Sequence, residues 1–232
     1  MIISFSGLDG AGKTTQIQML LEYYKSQGAK IGSIYKHFPD IRYHNKLELK
    51  KIEPELHSCD VILMRYRLNS NRNNFIMHHL EKGMSQQHLL STIAALQGYQ
   101  DHSELNKYII SSLLSDNKTV IFDRYYYDEL AFKYVYGCSD LILENLYKNV
   151  QDADIKFYID ISAQECLQRN QSRPDSNIPL YQNEKYVKQL IERFDDITKR
   201  KHLITLNGME PKEIIAQSVL KYINIYSFSK IF

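Results

Sequence analysis

Eight consecutive residues, Gly7-Leu8-Asp9-Gly10-Ala11-Gly12-Lys13-Thr14, match the pattern GxxxxGK[ST] in full. Glycines at 7, 10 and 12 let the backbone bend tightly enough for successive N–H groups to face one anion. A helix that starts at the end of such a loop adds unsatisfied donors and the positive end of its dipole. In that setting Lys13 reaches the β and γ phosphates of a nucleoside triphosphate, and the Thr14 hydroxyl ligates Mg²⁺. Phosphate binding is therefore expected, with Gly7, Asp9, Gly10, Ala11, Gly12, Lys13, Thr14 and Thr15 as the cradle.

A second segment, Thr119-Val120-Ile121-Phe122-Asp123-Arg124-Tyr125, is an apolar strand that ends in an acid and a base. Asp123 is placed to partner Mg²⁺ beside the phosphate loop. Motor and transport ATPases need a carboxylate next, to orient and deprotonate water. Here the position holds Arg124, which cannot act as a base. A guanidinium suits an anionic acceptor or a phosphoryl group in transfer. No NKxD guanine motif follows a strand, and Asn45-Lys46-Leu47-Glu48 is misplaced for one. Transfer to a phosphate or hydroxyl acceptor is expected, not hydrolysis. Arg169 and Arg173 lie four apart, on one face of an expected helix, and add positive charge. The run Arg173-Pro174-Asp175-Ser176-Asn177-Ile178-Pro179 has the composition of a closing loop, which predicts a lid over about 172–182.

These groups need elements to hold them. Short apolar runs at 2–6, 31–35, 119–122, 156–161 and 203–206 read as strands. Between them, 16–25 carries Ile17, Leu20, Leu21 and Tyr24 at helical spacing, and 163–171, 184–200 and 211–226 also read as helices. Alternation of this kind predicts an α/β fold of the P-loop NTPase type, a parallel five-stranded sheet flanked by helices. One domain over 1–232 is expected, with an insert at about 40–98 that includes the apolar run Val61-Ile62-Leu63-Met64.

Composition narrows the function classes. Lys+Arg 29 against Asp+Glu 27 leaves a net charge of +2, so nothing in the overall charge favours a nucleic-acid or membrane partner. The basic residues Arg42, Lys46, Lys50, Lys51, Arg65, Arg67 and Arg72 are interleaved with Glu48, Glu53 and Glu55, as on a solvated face. No apolar run approaches a membrane span, and no secretory leader is expected, since Asp9 interrupts the N-terminal apolar stretch. Three scattered cysteines, Cys59, Cys138 and Cys166, read as reduced thiols in a cytoplasmic protein. His78, His79, His88 and His102 fit no closed zinc spacing.

The segments FSGLDGAGKTTQ at 5–16, HFPD at 37–40, FDRYYYDELAF at 122–132, IDISAQECLQRNQSR at 159–173 and LNGMEPKEI at 206–214 together resemble the thymidylate kinase family. The resemblance implies transfer of a phosphoryl group from ATP, with Mg²⁺, to a nucleoside monophosphate, dTMP to dTDP. It implies that Asp9 sits near the acceptor, that Phe38 and Pro39 line its pocket, and that Arg124 holds its phosphate. Tyr125 and Phe132 match nearby aromatic positions. Arg169 and Arg173 match arginines that contact the transferred phosphoryl. Tyr181 resembles a tyrosine beside the acceptor base or sugar, and 207–210 the loop whose backbone contacts adenine. Gly10 places the sequence with members that supply a basic residue from the lid. Homodimerisation is expected from the family alone.

The sequence departs from that pattern where the base is read. Family members carry an aromatic and, four residues on, an arginine in the helix before the Asp-Arg strand. Tyr99 supplies the aromatic for stacking. Its partner falls at His102 or Ser103, and no arginine occurs between 73 and 123. Asp128 stands where serine is usual, an extra acid on the acceptor side. Two alternatives stay open: a kinase of the same fold for another nucleotide or a deoxynucleoside, or a degenerate nucleotide-binding regulator.

Overall fold

The computed structural model describes residues 1–34, 46–65, 87–172 and 183–229. Phe38, Pro39, Arg42, Arg67, Arg72, His78, His79, Arg173, Tyr181 and all but the first residue of the expected lid lie outside the described residues.

In chain order the elements are β1 (Ile2–Ser6), α1 (Lys13–Ser26), β2 (Ile31–Ser33), α2 (Lys46–His57), β3 (Val61–Arg65) and α3 (Gln87–Leu105). A π-turn over Asn106–Ile110 carries α3 into α4 (Ser111–Ser115). Then follow β4 (Thr119–Asp123), α5 (Tyr126–Val135), α6 (Asp140–Tyr147), β5 (Ile155–Asp160), α7 (Ala163–Gln171), α8 (Glu184–Lys201), β6 (Ile204–Asn207) and α9 (Lys212–Ser229).

The six strands form one parallel sheet in the order β2-β3-β4-β1-β5-β6. This is the expected α/β architecture with one strand more than the five expected. The added strand is Val61–Arg65, which pairs with β2 on one side and β4 on the other. An interior parallel strand is covered on both faces, so Val61 to Met64 are all apolar and lack the alternation that marks a half-exposed strand. Val61, Ile62 and Met64 are all buried. Part of the 40–98 region therefore builds the sheet. Ile62→Val, which removes one methylene from a fully buried side chain between Gly32 and Val120, should cost about 0.5–1.5 kcal/mol in urea unfolding. A change within the noise would mean that β3 is not core.

Strand order positions the site. β1 lies between β4 and β5, so the loop leaving β1 emerges where the carboxyl ends of three strands meet. In open parallel sheets that crevice is where ligands bind. Helices flank the sheet: α1 packs on α9, and α5 packs on α3, α6 and α8. Among the described residues no helix is long and apolar enough to cross a membrane.

Candidate active site

The phosphate loop is shaped by close backbone approach. Gly7 has φ +137°, and a Cβ there would stand 2.7 Å from the carbonyl oxygen of Ile159 on β5. Gly10 has φ +86°, and its Cβ would press on Asn170 and Arg169 of α7. Any L side chain is strained at such angles, so the glycine positions follow from geometry. Gly12, the N-cap of α1, has no side chain to satisfy the helix's first amides, and the first turn holds no acid. An anion is the group those amides suit.

Lys13 is only 6% exposed, and its Nζ donates to the carbonyls of Gly7 at 2.9 Å and Leu8 at 2.7 Å. Burial lowers its pKa to about 8, and the Arg124 guanidinium pushes the same way, against Asp9, Asp128 and Asp123. The ammonium is thus held beside the loop at an electrostatic cost.

Arg124 follows β4 in the left-handed region, φ 69°, with its N–H bonded to the Phe5 carbonyl at 3.0 Å. Its Nη1 donates to Gly7 O at 3.0 Å and to Asp128 Oδ1 at 2.6 Å, and its Nη2 donates to Asp9 Oδ1. Phe132, one turn further along α5, lies under the guanidinium with its centroid 5.1 Å away. The phosphate loop, the β4 end and the first turns of α5 are therefore joined through one arginine.

Thr14 is exposed on the first turn of α1, and Asp123, paired in register with Phe5, lies close enough to raise the Lys13 pKa. One hydroxyl and one carboxylate are the oxygen donors that a Mg²⁺ ion takes from a protein when phosphates and water complete its shell. Among the described residues no group of three or more His, Cys, Asp or Glu is gathered for a metal. This donor set suits a metal that arrives with its nucleotide.

Two expected site residues take other places. Tyr125 is 1% exposed; its ring packs on Phe122, Tyr126, Tyr127 and His102, and its hydroxyl donates to the Gln151 carbonyl. The two neighbouring side chains thus part, Arg124 to the loop and Tyr125 to the core. Arg169 is occupied by the protein: Nε with Glu165 at 2.6 Å, Nη1 with Gly10 O at 3.0 Å, Nη2 with Gly208 O at 3.1 Å. It ties the phosphate loop to the turn after β6.

Asn170 and Cys166 were not legible as site residues. Asn170 Nδ2 donates to Asp9 O at 2.9 Å, and Cys166 Sγ to the same carbonyl at 3.4 Å. Their partner is a backbone atom more than 150 positions away, which no spacing rule reports. With Arg169 they brace the loop from α7.

On α3, Tyr99 is half-buried, edge-on to Tyr147 at 6.0 Å. His102 is 2% exposed, 5.3 Å from the Tyr125 ring, and Ser103 beside it is exposed. An arginine at 102 would bury its charge in the core; only 103 offers an outward position. Burial pulls the His102 pKa from 6.5 down to about 4. The unfolded chain then binds a proton that the folded one refuses, so stability falls as pH drops from about 6.5 towards 4. Between pH 7 and pH 5 this residue should cost about 2 kcal/mol, read as a denaturation midpoint that His102→Gln makes less pH-dependent. An unchanged slope in that variant would assign the acid sensitivity elsewhere.

Comparison with known proteins places the chain in a family. The family model described as thymidylate kinase matches residues 73–219, more than half of the chain. A probable thymidylate kinase of Thermococcus kodakarensis is 26% identical over 230 residues, covering 96% of this chain and 97% of its own. The thymidylate kinase of Chlorobium luteolum is 28% identical over 190 residues, 79% of this chain and 72% of its own. A probable thymidylate kinase of Sulfurisphaera tokodaii is 21% identical over 221 residues, 95% and 94% respectively. The matched region holds the β4 end, Arg124 and the bracing helix α7. The chain belongs to the thymidylate kinase family of nucleoside monophosphate kinases.

Proposed function

We propose that the protein transfers the γ-phosphoryl group of ATP to dTMP, with Mg²⁺ held by Thr14 and Asp123. The observation that carries this reading is the Arg124 guanidinium, fixed beside the phosphate loop where hydrolytic relatives of the fold need a carboxylate. A cation there binds an acceptor phosphate and withholds the base that water would require. A metal held there would supply positive charge to neutralise the phosphoryl group in transfer. Lys13 follows the transferring group, Asp9 stands at the acceptor side, and Arg173 contributes from the lid. Tyr99, Phe38 and Tyr181 are assigned to the acceptor base and sugar. Arg169 is assigned here to holding the donor loop, because all three of its donor nitrogens already serve protein acceptors.

A second acceptor base is favoured by one observation: His102 and Ser103, the two positions where the resemblance expects an arginine that reads thymine, hold a buried imidazole and an exposed hydroxyl. A site built to hydrogen-bond one base edge rejects others by large factors, so losing that donor relaxes the choice. The test is ADP release with dTMP, dUMP, dCMP, dGMP and thymidine as acceptors. The expected ranking places monophosphates far above the nucleoside, with dTMP first. Thymidine accepted as readily as dTMP defeats the acceptor-phosphate reading, and ATP binding without turnover on any acceptor favours a regulator. Three free, buried cysteines support work in a reducing compartment, the cytoplasm. A homodimer is the expected assembly, and sedimentation of the purified protein decides it.

A further inference from the structure

We infer that Asp128 is a positioning residue that presents Arg124 to the acceptor phosphate, an assignment that rests on the acceptor reading above. Asp128 joins three pieces of the site. Its Oδ1 accepts from Arg124 Nη1 at 2.6 Å and from the Gly7 N–H at 3.4 Å. Its Oδ2 accepts from the N–H of Tyr125, the N-cap of α5, at 3.3 Å. The carboxylate thus ties the first residue of the phosphate loop, the strand-end arginine and the start of the next helix to one point. A serine there would offer one oxygen and no charge.

Arg124 has a second carboxylate partner, and the two differ in exposure. The Asp128 side chain is 3% exposed and that of Asp9 32%. A partly exposed ion pair gives up its partner at lower cost than a buried one, because water reaches and re-solvates the carboxylate. Withdrawing the cation from a buried carboxylate leaves an uncompensated charge, which is expensive. An incoming phosphate dianion therefore competes with Asp9 for Nη2, while Asp128 keeps Nη1 in place. Burial also pushes the Asp128 carboxyl pKa up, against Arg124 and Lys13, so its charge depends on the cations it orders. Arg124 holds a left-handed backbone conformation that a non-glycine residue disfavours, and a fixed side-chain partner on the same helix start stabilises that turn.

Calorimetric binding of dTMP and of thymidine to the full chain tests this. Asp128→Asn should weaken dTMP about tenfold or more, as expected for losing a charge-assisted contact, and leave thymidine within about twofold. In an Arg124→Ala background the same substitution should change dTMP affinity by less than about twofold, because the residue through which it acts is gone. Equal losses for dTMP and thymidine, or an undiminished effect without Arg124, would overturn the assignment and leave Asp128 a helix cap. If Asp128→Asn does not fold, Asp128→Ser carries the same comparison. Wild-type protein that binds thymidine as tightly as dTMP would overturn the acceptor-phosphate reading and this inference with it.

Discussion

Lys13→Ala should give a folded protein whose turnover is lower by roughly a hundred- to a thousand-fold, the loss expected when one preorganised donor to developing negative charge is removed. The phosphoryl group in transfer spreads charge over its oxygens, and catalysis is positioning plus neutralisation. Lys13 is built for that at the expense of the fold: it is 6% exposed, and its pKa is lowered to about 8, chiefly by burial. A lysine whose folded pKa lies below its usual 10.5 destabilises the fold wherever it must stay charged. Removing it should therefore leave the unfolding midpoint at neutral pH unchanged or raised, although two bonds to loop carbonyls are lost. Steady-state ADP release and a thermal melt on one preparation check both halves. Near-normal turnover in a folded variant would detach this loop from the chemistry.

Arg124→Ala should weaken the acceptor monophosphate by about 2–5 kcal/mol, the cost of truncating one partner of a desolvated charge pair. ATP affinity should change much less, because the phosphate-loop amides and Lys13 remain. The same variant should also be less stable, since Asp128 is left as a buried carboxylate without its guanidinium. Adding Asp128→Asn should recover much of that stability and none of the acceptor affinity. Titration of dTMP and of an ATP analogue against the single and double variants separates the two effects. Equal weakening of donor and acceptor would place Arg124 elsewhere in the reaction.

Residues that follow one another in the chain and act through their own backbone were legible in the sequence. The phosphate loop needs nothing beyond positions 7–14, because its glycines, its lysine and the helix it opens are all local. Helices 163–171 and 184–200 were legible for the same reason, helical patterning being a local signal; in the structure Ser162 and Asn183 each cap their helix as a side-chain acceptor. The Asp-Arg pair at the end of β4 was legible because an apolar run there ends in an acid and a base, and the carboxyl end of the strand faces the crevice.

Tertiary structure decided what depends on distant partners. The apolar run Val61-Ile62-Leu63-Met64 was read as part of an insert, and only its pairing with β2 and β4 makes it core. Of the two aromatics matched near Arg124, the fold buries Tyr125 in the core and sets Phe132 under the guanidinium. Arg169 carries a charge that the sequence reads as available, but the fold spends its donors on Glu165, Gly10 and Gly208. Asp128 reads as an extra acid, and the fold makes it the buried point where the phosphate loop, β4 and α5 meet. Composition and spacing report which charges exist; their availability is set by burial and by hydrogen bonds to backbone atoms far along the chain.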